Sequence, residues 1–421
     1  MMRLWHRLLH TPRQTLARRV MFQFHLWCGV IVGLYVALIG LSGSALVFRP
    51  ELESAMRPAL YALQPLSQPV QQATLDEMLH TAAKAFPEWK PMGFDQLPAG
   101  PGAVPTQPVV LYMMAQPGRE ISAPHSFTPD QLLVYLDPRT GALLGARSRY
   151  AGVLGLAENF HYYLLAGQRG YIVNGILGVA FLGLALTGWV LWWPGIRRVV
   201  GGLKIHGLWR GHYHHGHRNW KRLNWDLHST GGFWSNPALI AIIVTGIFFI
   251  FPQPMLRGFA WLTHTDPSVI RQWYSGPGNV TASAGAKPVT AQAAWTAAAA
   301  ALPENAHVGY FALPAEPGAA YEGIAYYDHT APYAQPLQVY INPFTAEPIE
   351  RLDSRTLPLA MRAVLYVYAV HFGNFAGLAS RVLWFLLGLM PAVLLVSGLI
   401  MWWNRSLRRR FAQKTSTTTA D

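Results

Sequence analysis

The sequence predicts an α-helical membrane protein: four transmembrane helices in two repeat-related halves, each half carrying a small α+β module outside the membrane. Three observations predict it. Hydrophobic residues make up 52% of the 421 and charged residues only 13%, against roughly a quarter charged in an average soluble domain. Four stretches, 26–48, 171–196, 229–252 and 382–403, contain no Asp, Glu, Lys or Arg and reach the roughly 20 apolar residues needed to cross a bilayer. An offset of 210 carries His161 onto His371, Thr187-Gly188 onto Ser397-Gly398 and Trp192-Trp193 onto Trp402-Trp403. An offset of 203 carries His25 onto His228, Gly29 onto Gly232, Ser42-Gly43 onto Thr245-Gly246 and Phe48 onto Phe251. Matches at fixed offsets are the signature of an internal repeat.

The elements follow in order. Residues 1–24 form a basic N-terminal segment and 25–48 the first membrane helix. The apolar core of that helix, 23 residues long, exceeds the roughly 7–15 of a signal-peptide core, and "RPELESAM" offers no small-x-small cleavage pattern, so it reads as an uncleaved anchor. Residues 49–150 form the first outer module. Its Ala/Leu-rich helix over 73–86 ends at Pro87, and in "LLVYLDPRTGALL" (132–144) alternating apolar residues flank Asp-Pro turn chemistry, which is a hairpin pattern. Residues 151–196 hold a histidine-bearing helix and the second membrane helix, 197–224 a basic His-rich loop, and 225–252 the third membrane helix. Residues 253–355 repeat the module, with a helix over 290–302 ended by Pro303 and a hairpin in "LQVYINPFTAEPI" (337–349). Residues 356–404 hold a second histidine helix and the fourth membrane helix, and 405–421 form a basic tail. Pro/Gly-rich linkers fall near 98–108 and 276–288.

Charge sets the expected orientation. Segments 1–24, 195–222 and 404–421 hold 17 Lys/Arg and one acid, Asp421, whereas 49–160 and 253–380 hold 14 Lys/Arg and 18 acids. This is the positive-inside pattern, with both termini and the middle loop cytoplasmic and both modules outside. The net charge of +13 is therefore a feature of the membrane topology. It suits anionic membrane lipid headgroups, and no nucleic-acid motif accompanies it. The single Cys28 excludes an internal disulfide and a Cys-based zinc cluster, and C-x-x-C-H, needed for covalent haem attachment, does not occur. No G-x-G-x-x-G, P-loop or H-E-x-x-H occurs either, so a redox role requires a separate electron donor. No Ser/His/Asp arrangement stands out for hydrolysis, and no catalytic acid or base is assigned.

The histidines carry the chemistry. His25 and His228 open the first and third spans on the inner side; His161 and His371 precede the second and fourth on the outer side. Two imidazoles per layer is the ligand count of a six-coordinate haem iron, and ionisable residues at membrane depth are costly and usually functional. The expected cofactors are two non-covalent haems, an inner one on His25/His228 and an outer one on His161/His371. The helix rises roughly 27 Å from His25 to Gly43 at 1.5 Å per residue, which sets the layers near opposite faces, as an electron wire requires. Arg169 and Arg381 offer guanidinium forks to haem propionates or snorkel to the interface. Phe160, Tyr162, Tyr163, Phe372 and Phe375 line an exit route or an aromatic belt. Ser42, Thr187, Thr245 and Ser397 touch haem edges or back-bond within their helices. The tract "HYHHGH" (His212, His214, His215, His217) resembles a metal-binding run but is not repeated.

The order of these motifs carries a resemblance. A helix with His25 at its inner end, an outer "VYLDPRTG" module, "FHYYLLAG", a helix ending "TGWVLWWP" and then "WDLHSTGGFW" together resemble the PepSY-associated transmembrane family over nearly the whole chain. The second copy, "VYINPFTAEP", departs from the Asp-Pro-x-Thr-Gly pattern at Asn342 and Ala346. The resemblance implies PepSY-like periplasmic modules, a bacterial cytoplasmic (inner) membrane location and two b-type haems. It also implies the activity of an iron-regulated ferric-siderophore reductase: a haem-dependent oxidoreductase that passes electrons outward to reduce an Fe(III)-siderophore and release its iron. A cytoplasmic reductase or a quinol would be the donor. The alternatives are a non-enzymatic PepSY-type membrane receptor or regulator, in which the histidines only pack, and a haem electron-transfer subunit for another acceptor.

Overall fold

The computed structural model describes residues 15–63, 65, 72–98, 100, 103–116, 131–204, 213–214, 217–218, 220–283, 285–328 and 335–407. Along the chain run helices α1 (Leu16–Val47), α2 (Arg49–Met56) and α3 (Leu75–Ala85), then strands β1 (Trp89–Asp95), β2 (Val109–Ala115), β3 (Gln131–Leu136) and β4 (Leu143–Ser148). Helices α4 (Gly152–Tyr163) and α5 (Gly167–Trp192), the two-residue strands β5 (Tyr213–His214) and β6 (His217–Arg218), and α6 (Trp220–Ile250) follow. Then come α7 (Pro252–Thr263), α8 (Pro267–Ser275), α9 (Ala291–Ala300), β7 (Ala306–Ala312), β8 (Tyr321–Tyr327), β9 (Pro336–Ile341), β10 (Pro348–Asp353), α10 (Leu359–Phe372) and α11 (Gly377–Trp402). The described residues fall into two units. One comprises those of Met1–Val47, Tyr171–Ile250 and Arg381–Asp421, and the other those of Phe48–Gly170 and Phe251–Ser380.

The first unit holds α1, α5, α6 and α11, the helices long and apolar enough to cross a membrane; the chain is a multi-pass membrane protein. Lipid offers no hydrogen-bond partner, so a spanning backbone must satisfy itself as a helix. Helices α1 and α6 begin at Leu16 and Trp220, earlier than the apolar runs alone predict. The 32 residues of α1 extend roughly 48 Å at 1.5 Å each, past a hydrocarbon core of about 30 Å. The added turns carry Arg18 and Arg19 in α1 and Lys221, Arg222 and Asp226 in α6. Both α1 and α6 pack on the same two neighbours. Tyr35 Oη donates to Asn174 Oδ1 at 2.7 Å and Ser44 Oγ to the Phe385 carbonyl at 2.8 Å, joining α1 to α5 and α11. Asn236 Nδ2 donates to the Ala185 carbonyl at 2.9 Å and Asn224 Nδ2 to the Ser397 carbonyl at 2.9 Å, joining α6 to the same pair. Gly40 meets Gly388 and Pro391, where small residues allow close backbone approach.

The second unit contains one antiparallel sheet in the order β10-β9-β8-β7-β1-β2-β3-β4. The segments 49–150 and 253–355, each expected to form a module, are thus joined at their first strands, with Gly93 opposite Ala312, Phe94 opposite Phe311 and Asp95 opposite Tyr310. Pairing them leaves two open sheet edges in place of four, and open edges invite aggregation. Helices α3 and α9 pack on one face over a shared core of Phe94, Leu111, Val134, Phe311, Val339 and Ile341. Their N-termini cap each other. Asp76 accepts from the backbone N–H groups of Ala291 and Gln292, both at 3.0 Å, and Gln292 Oε1 accepts from Leu75 N–H at 3.0 Å. The two departures from the turn pattern are tolerated. Asn342 Oδ1 accepts from Phe344 N–H at 2.8 Å, as Asp137 Oδ1 accepts from Arg139 N–H at 2.9 Å. Ala346 takes φ of 58° where Gly141 takes 70°, at a cost of about 1–2 kcal/mol for a residue with a Cβ.

The mutual capping is directly testable. Asp76→Ala removes both acceptors from the start of α9, and losing a cap costs about 1–2 kcal/mol. Hydrogen exchange at Ala291 and Gln292 is expected to accelerate about five- to thirtyfold in the full-length protein in detergent. Unchanged exchange there would refute the cap.

Candidate functional site

The membrane unit brings His25 and His228 together, their ring centroids 6.4 Å apart and their planes at 88°. Each ring is held in the same way. His25 Nδ1 lies 3.1 Å from the Leu184 carbonyl and 3.1 Å from Thr187 Oγ1; His228 Nδ1 lies 3.0 Å from the Leu394 carbonyl and 3.0 Å from Ser397 Oγ. A carbonyl only accepts, so Nδ1 carries the proton in both rings and Nε2 keeps its lone pair. The hydroxyls back-bond, one of the two roles expected of them: Thr187 to Gly183 and Ser397 to Val393, at 2.8 and 2.7 Å, while each oxygen also faces an imidazole. Beneath each ring is a glycine. A Cβ at Gly188 would stand 3.3 Å from His25 Cε1, and one at Gly398 would stand 3.0 Å from His228 Cε1. Ser42 and Thr245 bond within their own helices, to the carbonyls of Ile39 and Ala241.

The second unit brings His161 on α4 to His371 on α10, centroids 6.2 Å apart at 52°. Tyr162 and Phe372 flank the pair, each 5.9 Å from its neighbouring imidazole. Six residues after each histidine, Gly167 and Gly377 begin the next helix with φ of 55° and 62°, a conformation a glycine adopts at little cost.

One turn before His161 lies a group that the repeat does not reveal. Glu158 is 2% exposed and sits between two guanidiniums, Arg149 at 2.9 Å and Arg49. Arg49 also reaches Glu53 at 3.1 Å, and Glu53 is bound in turn by Arg147. The result is an alternating chain, Arg149–Glu158–Arg49–Glu53–Arg147. Burial pushes the Glu158 carboxyl upward in pKa, but the hydrogen bonds and charges of Arg149 and Arg49 outweigh it and hold it below the usual value. The repeat offset places Tyr368 where a second Glu158 would stand, so only the fold could reveal the cluster. Asp226, two residues before His228, is likewise buried and pairs with Arg222 at 2.9 Å.

Other candidates fall elsewhere. Arg169 is exposed on the first turn of α5. Arg381 Nη2 donates to the Val47 carbonyl at 2.7 Å, closing the C-terminal end of α1 as a cation does well. Arg18 closes α5 similarly, on the carbonyls of Val190 and Trp193, both at 3.0 Å. His214 pairs with His217 across β5 and β6; His212 and His215 lie outside the described residues. Among the described residues no group of three or more His, Cys, Asp or Glu is placed to hold a metal ion.

A profile of the PepSY-associated TM region matches residues 22–405. The chain belongs to the PepSY-associated TM family. The match takes in all four histidines and both segments that form the sheet, so the family spans the membrane helices and the sheet alike. None of the curated proteins compared with the chain matches it.

Glu158 gives this site a pH dependence with a definite sign. Its pKa is lower folded than unfolded, so its contribution is full above the unfolded carboxylate value, near 4.5, and fades as pH falls through the folded value. The thermal midpoint of Glu158→Gln is therefore expected below that of the native chain at pH 6, with the gap closing below about pH 4. A gap that widens on acidification would contradict the assignment.

Proposed function

We propose that this family member is a di-haem b-type oxidoreductase of the bacterial inner membrane that passes electrons outward to reduce Fe(III)-siderophores in the periplasm. The observation that carries the reading is the pairing of four histidines into two facing couples. One iron held between two imidazoles needs the two rings close together with a nitrogen of each free to bind. The two pairs stand at 6.4 and 6.2 Å, so the donor set fits a bis-imidazole iron in each. His25 and His228 would hold one haem b, and His161 and His371 the other.

The remaining work falls to the chain. The Nδ1–H bonds to Leu184 and Leu394 fix the tautomer, turn Nε2 into the ligand and raise its basicity. Gly188 and Gly398 leave the space each ring occupies. Haem, when bound, supplies reversible one-electron transfer. The partners of the two imidazoles are related by the offset of 210 and the imidazoles themselves by 203, which supports two repeat-related halves. Charge placement supports cytoplasmic termini and periplasmic modules. The resemblance supplies the substrate class. Fe(II) binds hard oxygen donors less tightly than Fe(III), so reduction releases the metal. The donor is a cytoplasmic reductase or a quinol, because the chain has no nucleotide fingerprint.

A pyridine haemochrome assay on purified protein is expected to give about two haems per chain, the count set by one iron per bis-imidazole pair. A value near zero would favour the receptor reading instead. His25→Ala should remove one haem and His371→Ala the other; spectra in which His25→Ala and His161→Ala damage the same haem would overturn the pairing.

Function can be read in sealed vesicles loaded with an internal reductant. Native protein should reduce an external ferric siderophore, with the iron captured by a ferrous chelator. His228→Ala should abolish this while leaving chemical reduction of the outer haem intact. Reduction at the native rate by His228→Ala would exclude an inner step, and ferrous iron formed from other ferric chelates but from no siderophore would reassign the acceptor.

A further inference from the structure

The two outer histidines are supported in different ways. Helix α10 presents His371 from a base of buried apolar residues, Met361, Val364, Leu365 and Ala369. Helix α4 presents His161 from a buried ionic base: Glu158 stands three residues earlier, on the same helical face, within the alternating chain of five charges. Those five residues come from three places, Arg49 and Glu53 on α2, Arg147 and Arg149 at the end of β4, and Glu158 on α4. Further contacts tighten the same joint. Gly155 lies against the Tyr150 backbone, and Arg149 reaches Gln131 at 2.8 Å. Beyond His161 the chain turns through Leu164 and Leu165, both left-handed with φ of 49° and 58°, a conformation that persists in residues with a Cβ only when the surroundings over-determine it.

Stability alone does not account for such a cluster. Glu158, Glu53 and Arg147 are buried and Arg49 and Arg149 half-buried; taking charges from water costs more than their pairing returns in many proteins, and apolar replacements are often neutral or better. The chain also carries three cations and two anions, a surplus of one positive charge in a setting only partly open to solvent. We infer that the chain Arg149–Glu158–Arg49–Glu53–Arg147 positions His161 and, through its surplus charge, biases the outer site toward ferrous iron. The inference rests on His161 and His371 being haem ligands. A buried positive charge disfavours the more positive oxidation state of a nearby iron, and hydrogen-bonded and charged groups behind a ligand are how proteins tune a metal.

Potentiometric titration of the full-length protein, read in the visible spectrum, tests this, with the outer haem identified as the one lost in His371→Ala. Glu158→Gln keeps the shape and deletes a negative charge, so the outer potential should rise. At a fixed potential the ferrous-to-ferric ratio should grow on the order of tenfold, the effect of one unit charge across a protein interior. Arg149→Gln should shift it the opposite way by a similar factor, and the inner haem should not respond to either. A merely structural role does not produce opposed signs, because loosening His161 shifts both variants alike. Shifts of equal sign, or none, overturn the inference and leave the haem reading standing; a native protein without haem overturns both. Where Glu158→Gln fails to retain the outer haem, Glu53→Gln and Arg147→Gln, one ion pair further from His161, should show the same opposed signs at smaller amplitude. Agreement in sign between those two also overturns the inference.

Discussion

Within the membrane unit, what each histidine can do depends on a hydrogen bond from Nδ1–H to a carbonyl of the neighbouring helix. A helix in lipid keeps its carbonyls for its own backbone, so a second donor must come from a ring pressed close against the helix surface. Gly188 and Gly398 supply that closeness, and the Thr187 and Ser397 hydroxyls share the same carbonyls. With Nδ1 engaged, the lone pair of Nε2 is left for a ligand. The helix arrangement follows: α1 reaches α5 through His25 and α6 reaches α11 through His228, while Ser44 ties α1 to α11 and Asn236 ties α6 to α5. Two helices sharing both neighbours face each other across the bundle, and their imidazoles meet there.

The second unit solves a different problem, that of holding two short helices at a histidine pair from a sheet scaffold. Joining β1 to β7 turns two four-stranded meanders into one sheet with a common core. Asp76 and Gln292 then tie the starts of α3 and α9 to each other. On this base the two histidine helices differ in kind. Apolar packing under α10 is non-directional, whereas guanidinium–carboxylate pairs under α4 demand a specific geometry. That directional support sits beside the only backbone in the chain where two consecutive residues other than glycine, Leu164 and Leu165, adopt left-handed conformations among the described residues.

Much of this was legible in the residues. The spans are readable because crossing a bilayer needs a long uncharged run, and the hairpins because Asp-Pro and Asn-Pro turns interrupt alternating strands. The four histidines are readable because they recur at fixed offsets beside small residues. Helix starts were less so: Arg18 and Lys221 extend α1 and α6 beyond the apolar runs, and hydrophobicity carries no signal for a polar helical turn. The β1–β7 seam was not legible either, since edge-to-edge pairing depends on backbone groups that every residue shares.

The sequence by itself determined the number of membrane helices, the segments in which basic residues gather and which histidines repeat, because each is a property of short runs or of spacing along one chain. Only the tertiary structure decided that Leu184 and Leu394 provide the carbonyls, since that depends on how each helix is rotated about its axis. It alone placed Glu158 between Arg49 and Arg149, residues 109 and 9 positions away. Charges so far apart in sequence have no common period; they become one electrostatic unit only where α2, β4 and α4 converge around the buried Glu158.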